Sequence, residues 1–162
     1  KAYLGPVISD VKNSRIENIR HLIGLAENMF EADGRGLLAR SSLENIAFAI
    51  NGNVNLLMEI SGVTPVRCVV TGGSINNKVF LQILASLIDA PLFTAIPEAT
   101  ALGAAMCAAV GIGQYTTFEQ ATERMRGSLE KVEKDNELSR KYSKYFQDWQ
   151  ATFDELRRGR DE

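Results

Sequence analysis

Gly72, Gly73 and Ser74, followed closely by Asn76 and Asn77, form the segment whose residue types and spacing point most directly to a ligand. Val69-Val70-Thr71 ahead of them is a β-branched run, so the glycines stand where a buried strand gives way to a helix. In an open α/β sheet that carboxyl end of a strand is where ligands bind. Lacking Cβ atoms, Gly72 and Gly73 let backbone approach a ribose or phosphate and permit positive φ. The N–H groups that open the next helix offer an anion a positive dipole end. Asn76 and Asn77 each carry a donor and an acceptor, the pairing an adenine edge requires. Taken alone, a Gly-Gly-Ser turn is equally served by backbone geometry with no ligand at all.

A second segment, Pro97-Glu98-Ala99-Thr100-Ala101-Leu102-Gly103-Ala104-Ala105, opens a helix of small residues about twenty positions on. Such a helix can lie very close to a sheet or loop, and for Gly103 close packing is the plain expectation. Glu98 fits the first helical turn, where a carboxylate complements the dipole.

These segments need elements to hold them. Arg67–Thr71 reads as a strand buried on both faces of a mostly parallel sheet. Val79, Phe80, Ile83, Leu84, Leu87 and Ile88 give a helical stripe; Pro91–Ile96 reads as the next strand, and residues 98–110 as the next helix. Upstream, Asp33-Gly34-Arg35-Gly36 marks a turn, and Ser41-Ser42-Leu43-Glu44 fits a capping box that starts a helix. Pro6 argues against a central strand in Ala2–Ser9. Downstream, Thr117-Phe118-Glu119-Gln120 can cap a helix, residues 123–137 are highly charged, and Leu138, Tyr142, Tyr145, Phe146, Trp149, Phe153 and Leu156 form an amphipathic stripe. That stripe is expected to be a docking face against the body of the protein. The order helix, strand, helix, strand, helix gives an α/β layered class.

Bulk properties exclude several alternatives. The chain has 162 residues, 45% of them hydrophobic, enough for a packed core. Its net charge of −2 gives no electrostatic case for nucleic acid or an anionic membrane. No apolar run approaches the roughly 20 residues of a membrane span, and no signal peptide is evident. Cys68 and Cys107 lack metal or redox spacing and read as two buried free thiols of a cytoplasmic protein. His21 stands alone, and Asp10, Asp33 and Asp89 read as surface acids. A chain that opens on Lys1 rather than Met is expected to be a piece of a longer protein.

The combination of motifs resembles the C-terminal half of the FGGY carbohydrate kinases. The carrying residues are Thr71-Gly72-Gly73-Ser74 with Asn77 and Gln82, Glu98 to Ala105 with Ala109 to Gly113, and Leu38 to Ala47. The resemblance is clear over residues 38–120. It implies a fragment of a ribonuclease-H-like (actin-like ATPase) domain, with helices packed on a mostly parallel sheet and a helical C-terminal tail. Residues 1–114 would be part of the ATP-binding domain, and 115–162 a helical extension packed on it. Gly73 would contact ribose or phosphate through backbone, Asn77 would lie beside the adenine with Asn76 as the alternative, and Gly72 and Ser74 would shape the turn. The cofactor implied is ATP or ADP with Mg²⁺ held mainly through the phosphates. Thr71, where many members carry Gly or Asp, and Ser86-Leu87-Ile88-Asp89 depart from the family pattern and leave the sugar unassigned.

By the same resemblance the catalytic aspartate and the sugar or polyol site belong to an N-terminal domain outside these residues, so no catalytic base and no metal ligand is assigned here. The intact protein would phosphorylate a sugar or polyol hydroxyl, and this chain alone would not. Two rivals differ in class: an interaction module that uses the Leu138–Leu156 stripe for helix packing or homodimerisation, and a non-sugar actin-like ATPase.

Overall fold

In a computed structural model of the chain, the described residues are 2–3, 21–22 and 32–158. Residues 4–20, which include Asp10 and the Pro6 segment, lie outside them. The chain forms two compact units, one from Lys1–Thr64, Ile83–Ile88 and Lys134–Glu162, the other from Pro65–Gln82 and Asp89–Glu133.

The first unit holds a two-residue antiparallel pair, β1 (Ala2–Tyr3) with β2 (His21–Leu22), and two long helices, α1 (Ala32–Ser61) and α5 (Asn136–Arg158). Asp135 starts α5: its Oδ1 accepts the N–H groups of Glu137 (2.8 Å) and Leu138 (3.0 Å), which have no partner inside the helix. Every fourth or third residue then turns inward, so Tyr142, Phe146, Trp149 and Phe153 are buried. The stripe packs on α1. The Phe48 ring lies 6.3, 6.0 and 5.8 Å from those of Tyr142, Phe146 and Trp149, and Trp149 Nε1–H donates to Asn45 Oδ1 at 3.2 Å. The docking reading of the stripe is therefore correct, and the face proposed for dimerisation is occupied within the chain.

A polar clasp closes the same contact. Arg40 Nη2–H donates to the Tyr142 hydroxyl (2.8 Å), and that hydroxyl donates to Glu44 Oε1 (2.9 Å). Arg40 Nε–H reaches the same Glu44 oxygen at 3.1 Å. The Tyr142 hydroxyl and then Glu44 hold the Arg40 guanidinium above its ordinary range, while burial, followed by Glu44, pushes the Tyr142 phenol up.

Two expectations for α1 fail here. The helix starts at Ala32, so Asp33-Gly34-Arg35-Gly36 is helical rather than a turn, and Ser41–Glu44 lies inside the helix rather than at its start. Ser41 and Ser42 hydroxyls donate back to the Leu38 carbonyl (3.1 and 2.9 Å), which satisfies them within a helix, and Glu44 serves the clasp. Each helical glycine costs about 1 kcal/mol relative to alanine, a penalty that packing along a 30-residue helix outweighs.

The second unit is built on a three-stranded sheet, β3 (Cys68–Val70), β4 (Leu92–Thr94) and β5 (Glu130–Val132), in the order β3-β4-β5. β3 and β4 are parallel, in register from Cys68↔Leu92 to Val70↔Thr94. β4 and β5 are antiparallel, from Leu92↔Val132 to Thr94↔Glu130. The α/β class stands, with a sheet that is small and mixed. β3 lies at its edge, and Val69 is 44% exposed rather than buried on both faces. β5 comes from the charged stretch in which no strand was expected; charged side chains suit an edge strand.

Three helices complete this part: α2 (Lys78–Leu87), whose last residues contribute to the first unit, α3 (Ala99–Gly111) and α4 (Phe118–Met125). Thr117 caps α4 as expected, accepting the Gln120 N–H, while Gln120 Oε1 accepts the Thr116 N–H at 3.1 Å. α3 is apolar all round, yet its one buried residue is Ala109. Its Cys107 is accordingly an exposed free thiol, and Cys68 is half-buried, its thiol pushed up by burial. The expectation of two buried thiols is wrong in that respect. Among the described residues no helix is long and apolar enough to cross a membrane.

Candidate functional site at the glycine turn

Parallel strands end on the same side, so β3 and β4 send Thr71–Asn77 and Ala95–Gly103 off one edge of the sheet. The Ala95 N–H donates to the Val70 carbonyl at 3.1 Å and fixes the point where the two segments diverge. Beyond it, Gly72 takes φ 82° and ψ −174°, a region essentially closed to side chains. Gly73–Asn76 then winds into one 3₁₀ turn, held by Ile75 N–H to Gly72 O (3.2 Å) and Asn77 N–H to Ser74 O (3.1 Å).

Asn77 returns to extended backbone and caps α2. Its Oδ1 accepts the Phe80 N–H at 3.0 Å, and its carbonyl accepts the Leu81 N–H at 3.0 Å. Sequence reading placed Asn77 at a ligand and overlooked this cap, although an Asn ahead of the Val79–Phe80 stripe is the signal that reveals it. Gln82 is also engaged in the fold, since its Nε2–H donates to the Glu133 carbonyl at 3.4 Å.

The turn is open to solvent. Gly73, Ser74, Asn76 and Asn77 are exposed, and Gly72 is half-buried. Among the described residues, chain neighbours aside, a Cβ built on Gly72 or Gly73 would meet no atom within 4 Å. The two glycines thus have different reasons to exist. Gly72 is required by its φ, so Gly72→Ala is expected to cost about 1–3 kcal/mol of stability, read as a fall in the urea midpoint of the chain. Gly73 has no positive φ, and among the described residues no neighbour there demands a missing side chain.

Glu98 precedes α3 with no side-chain cap bond; its carbonyl accepts the Leu102 N–H at 2.9 Å. It is exposed, as is Asp89. Among the described residues a Cβ on Gly103 would also meet nothing within 4 Å outside its own helix, so packing against them does not account for that glycine. Among the described residues no group of three or more His, Cys, Asp or Glu side chains could hold a metal ion. The His21 side chain lies outside the described residues.

A cleft of about 230 Å³ belongs to the first unit, not to the glycine turn. Asn45, Phe48, Tyr145, Asp148 and Trp149 are among its lining residues, so it follows the α1–α5 packing. It brings together none of the residues singled out for a nucleotide.

Comparison with known proteins identifies the family. Residues 9–112 match the model of the FGGY family of carbohydrate kinases, C-terminal domain. The chain is 32% identical over 124 residues to the autoinducer-2 kinase of Photorhabdus laumondii, covering 76% of this chain and 23% of that protein. It is 30% identical over 152 residues to the autoinducer-2 kinase of Yersinia pestis, covering 91% of this chain and 28% of that protein. Among solved structures, the xylulose kinase from Rhodospirillum rubrum superposes with a TM-score of 0.65 at 26% identity, over 86% of this chain and 28% of that one. The gluconate kinase from Lactobacillus acidophilus shares the fold at a TM-score of 0.63 and 18% identity, over 83% of this chain and 26% of that one. The chain therefore spans about a quarter of the length of these relatives. With a family model matched over more than half of its length, the chain belongs to the FGGY family of carbohydrate kinases, in the C-terminal domain of that family.

Proposed function

We propose that this chain is the nucleotide-binding part of an ATP-dependent carbohydrate kinase, whose intact form transfers the γ-phosphoryl group of ATP to a sugar or polyol hydroxyl. The observation that carries the reading is Gly73: an exposed glycine with open space around it, beside the strained Gly72 turn and at the carboxyl ends of a parallel strand pair. The relatives named above include autoinducer-2 and xylulose kinases, which supports a carbohydrate as the substrate class without naming the individual sugar.

In this reading Gly72, Gly73 and Ser74 form the surface on which the ribose and phosphates rest, and Asn76 and Asn77 border the base. Mg²⁺ would be held mainly through the phosphates and would supply charge neutralisation there. The catalytic base and the sugar-binding groups belong to an N-terminal domain, and closure of that domain over the turn excludes water. Residues 1–114 serve the nucleotide, and 115–162 extend the domain. A cytoplasmic location suits an ATP-dependent enzyme of carbohydrate metabolism.

Exposed apolar residues support a chain that shares its surface with further protein: Val66 is 92% and Ile112 79% exposed. The interaction-module rival loses its basis, because the aromatic stripe it would use is already buried against α1. A homodimer would have to form through another face.

Two assays on the 162-residue chain test the proposal. Calorimetry is expected to detect saturable binding of ADP with Mg²⁺, and a coupled assay with pentuloses, gluconate and glycerol is expected to show no turnover. Absence of nucleotide binding contradicts the assigned role; sugar-dependent turnover by the chain alone contradicts the division of labour.

A further inference from the structure

The following rests on the nucleotide reading of the Gly72–Asn77 turn and concerns what keeps that turn in shape. None of the residues Gly73–Asn76 is buried, so core packing does little to hold them. Their bonds are local: Ile75 N–H to Gly72 O at 3.2 Å, Asn77 N–H to Ser74 O at 3.1 Å, and a long one from the Ser74 hydroxyl to Thr71 O at 3.5 Å. A short exposed segment of this kind opens at small cost, so its shape is decided where its two ends are fixed.

The first end is fixed at the sheet. The Ala95 N–H donates to Val70 O at 3.1 Å, and Gly72 turns the chain at φ 82°. The second end is Asn77, which bonds in both directions. Behind it, its N–H closes the 3₁₀ turn on Ser74 O. Ahead of it, its Oδ1 accepts the Phe80 N–H at 3.0 Å, and its carbonyl accepts the Leu81 N–H at 3.0 Å. The side-chain bond holds Asn77 in extended backbone, φ −94° and ψ 93°, the conformation from which its N–H reaches back to Ser74. Phe80 is buried, so removing Oδ1 leaves its N–H without a ready substitute. The first turn of α2 then frays or winds back through position 77, and either movement releases the bond to Ser74.

We propose that Asn77 is a positioning residue for the nucleotide: its cap on α2 holds the Gly73–Asn76 turn in the shape that binds. This role acts through the turn and is separate from a contact of its amide with the base. When only part of the molecules hold the binding shape, the apparent affinity falls by that fraction.

Two variants isolate the cap, because both lack the amide. Asn77→Ser keeps a side-chain oxygen of equal capping strength, whereas Asn77→Ala keeps none. The parent sequence and both variants of the 162-residue chain are titrated calorimetrically with ADP and Mg²⁺ well below their thermal midpoints, and amide hydrogen exchange is followed at Phe80. Asn77→Ser is expected to bind ADP about 5-fold more tightly than Asn77→Ala, the factor that a cap of ordinary strength supplies. The Phe80 amide is expected to stay protected in the parent and in Asn77→Ser and to exchange faster in Asn77→Ala. A cap that serves the helix alone would change the exchange and leave the two variants within about 1.5-fold of each other in affinity, well short of one cap, and that result overturns the inference. Unequal affinities with equal Phe80 exchange overturn it as well, since the difference would not come from the cap. A parent that binds ADP beside two equal variants contradicts this inference alone, whereas a parent that binds none overturns the nucleotide reading itself.

Discussion

Gly73→Asp is expected to weaken ADP binding by at least about 100-fold while leaving the thermal midpoint of the chain unchanged. The two halves of that expectation come from the same observation. Among the described residues, chain neighbours aside, a Cβ at position 73 meets nothing within 4 Å, and the backbone there is not at positive φ, so a side chain has room against them. Space that is empty without ligand is the space a ribose or phosphate would use. An aspartate placed there brings a carboxylate toward phosphate charge. Two unit charges about 4 Å apart at an effective dielectric constant of 20 repel by roughly 4 kcal/mol, and every 1.4 kcal/mol is about tenfold in affinity. Calorimetry on the variant, together with its melting curve, checks both halves. A variant that binds ADP as well as the parent sequence removes the turn from the site. A variant that melts early shows instead that Gly73 is a structural glycine.

The largest expected effect on stability lies in the other unit. Trp149 is 2% exposed, stacks on Phe153 at 5.2 Å and 9° between planes, lies 5.8 Å from Phe48, and donates to Asn45. Truncating a buried tryptophan to alanine costs about 3–5 kcal/mol in transfer and cavity terms. For a chain of this size each kcal/mol moves the midpoint by about 2–4 °C, so Trp149→Ala is expected to lower it by roughly 6–20 °C. Circular dichroism is the suitable probe, because Trp149 is the chain's single tryptophan and its fluorescence disappears with it. A fall of less than about 3 °C, below the smallest cost such a truncation carries, would mean that α5 does not hold α1 as described.

Much of the fold was legible in residue order because local pattern and tertiary demand agree. The β-branched Val69-Val70 run gives β3, Leu92-Phe93-Thr94 gives β4, and the stripes bury Phe80, Ile83 and Leu84 of α2 with Ile88 just past its end, and Tyr142, Phe146, Trp149 and Phe153 of α5, while Val79 and Tyr145 of the same stripes stay exposed. Where they disagree, packing wins. Gly34, Gly36 and Ser41-Ser42 have the composition of a turn and a cap, yet they lie within a helix that supplies Asn45 and Phe48 to the core. Glu130-Lys131-Val132 carries no alternating apolar signal because it is an edge strand that meets only β4.

The site divides the same way. Gly72 and Gly73 are legible as a turn from their place after a strand, but the difference between them is not: one is fixed by φ, and the other by no contact among the described residues. Asn77 caps α2, and residue type alone does not separate that role from the base contact proposed for it. α3 shows a related limit. An all-apolar helix reads as buried, whereas Ala101, Ala104, Ala105 and Cys107 are exposed; composition reports how apolar a helix is and not what covers it.

The central claim is that the Gly72–Asn77 turn is a nucleotide surface already formed in this chain. An amide NMR titration of the 17.8 kDa chain with ADP and Mg²⁺ tests it most directly. The account predicts saturable shifts concentrated at Gly72 to Asn77 and near Glu98, with the α1 and α5 resonances of Phe48 and Trp149 unmoved. A well-dispersed spectrum with no shifts at the turn, or shifts confined to the cleft lined by Asn45 and Asp148, would contradict it.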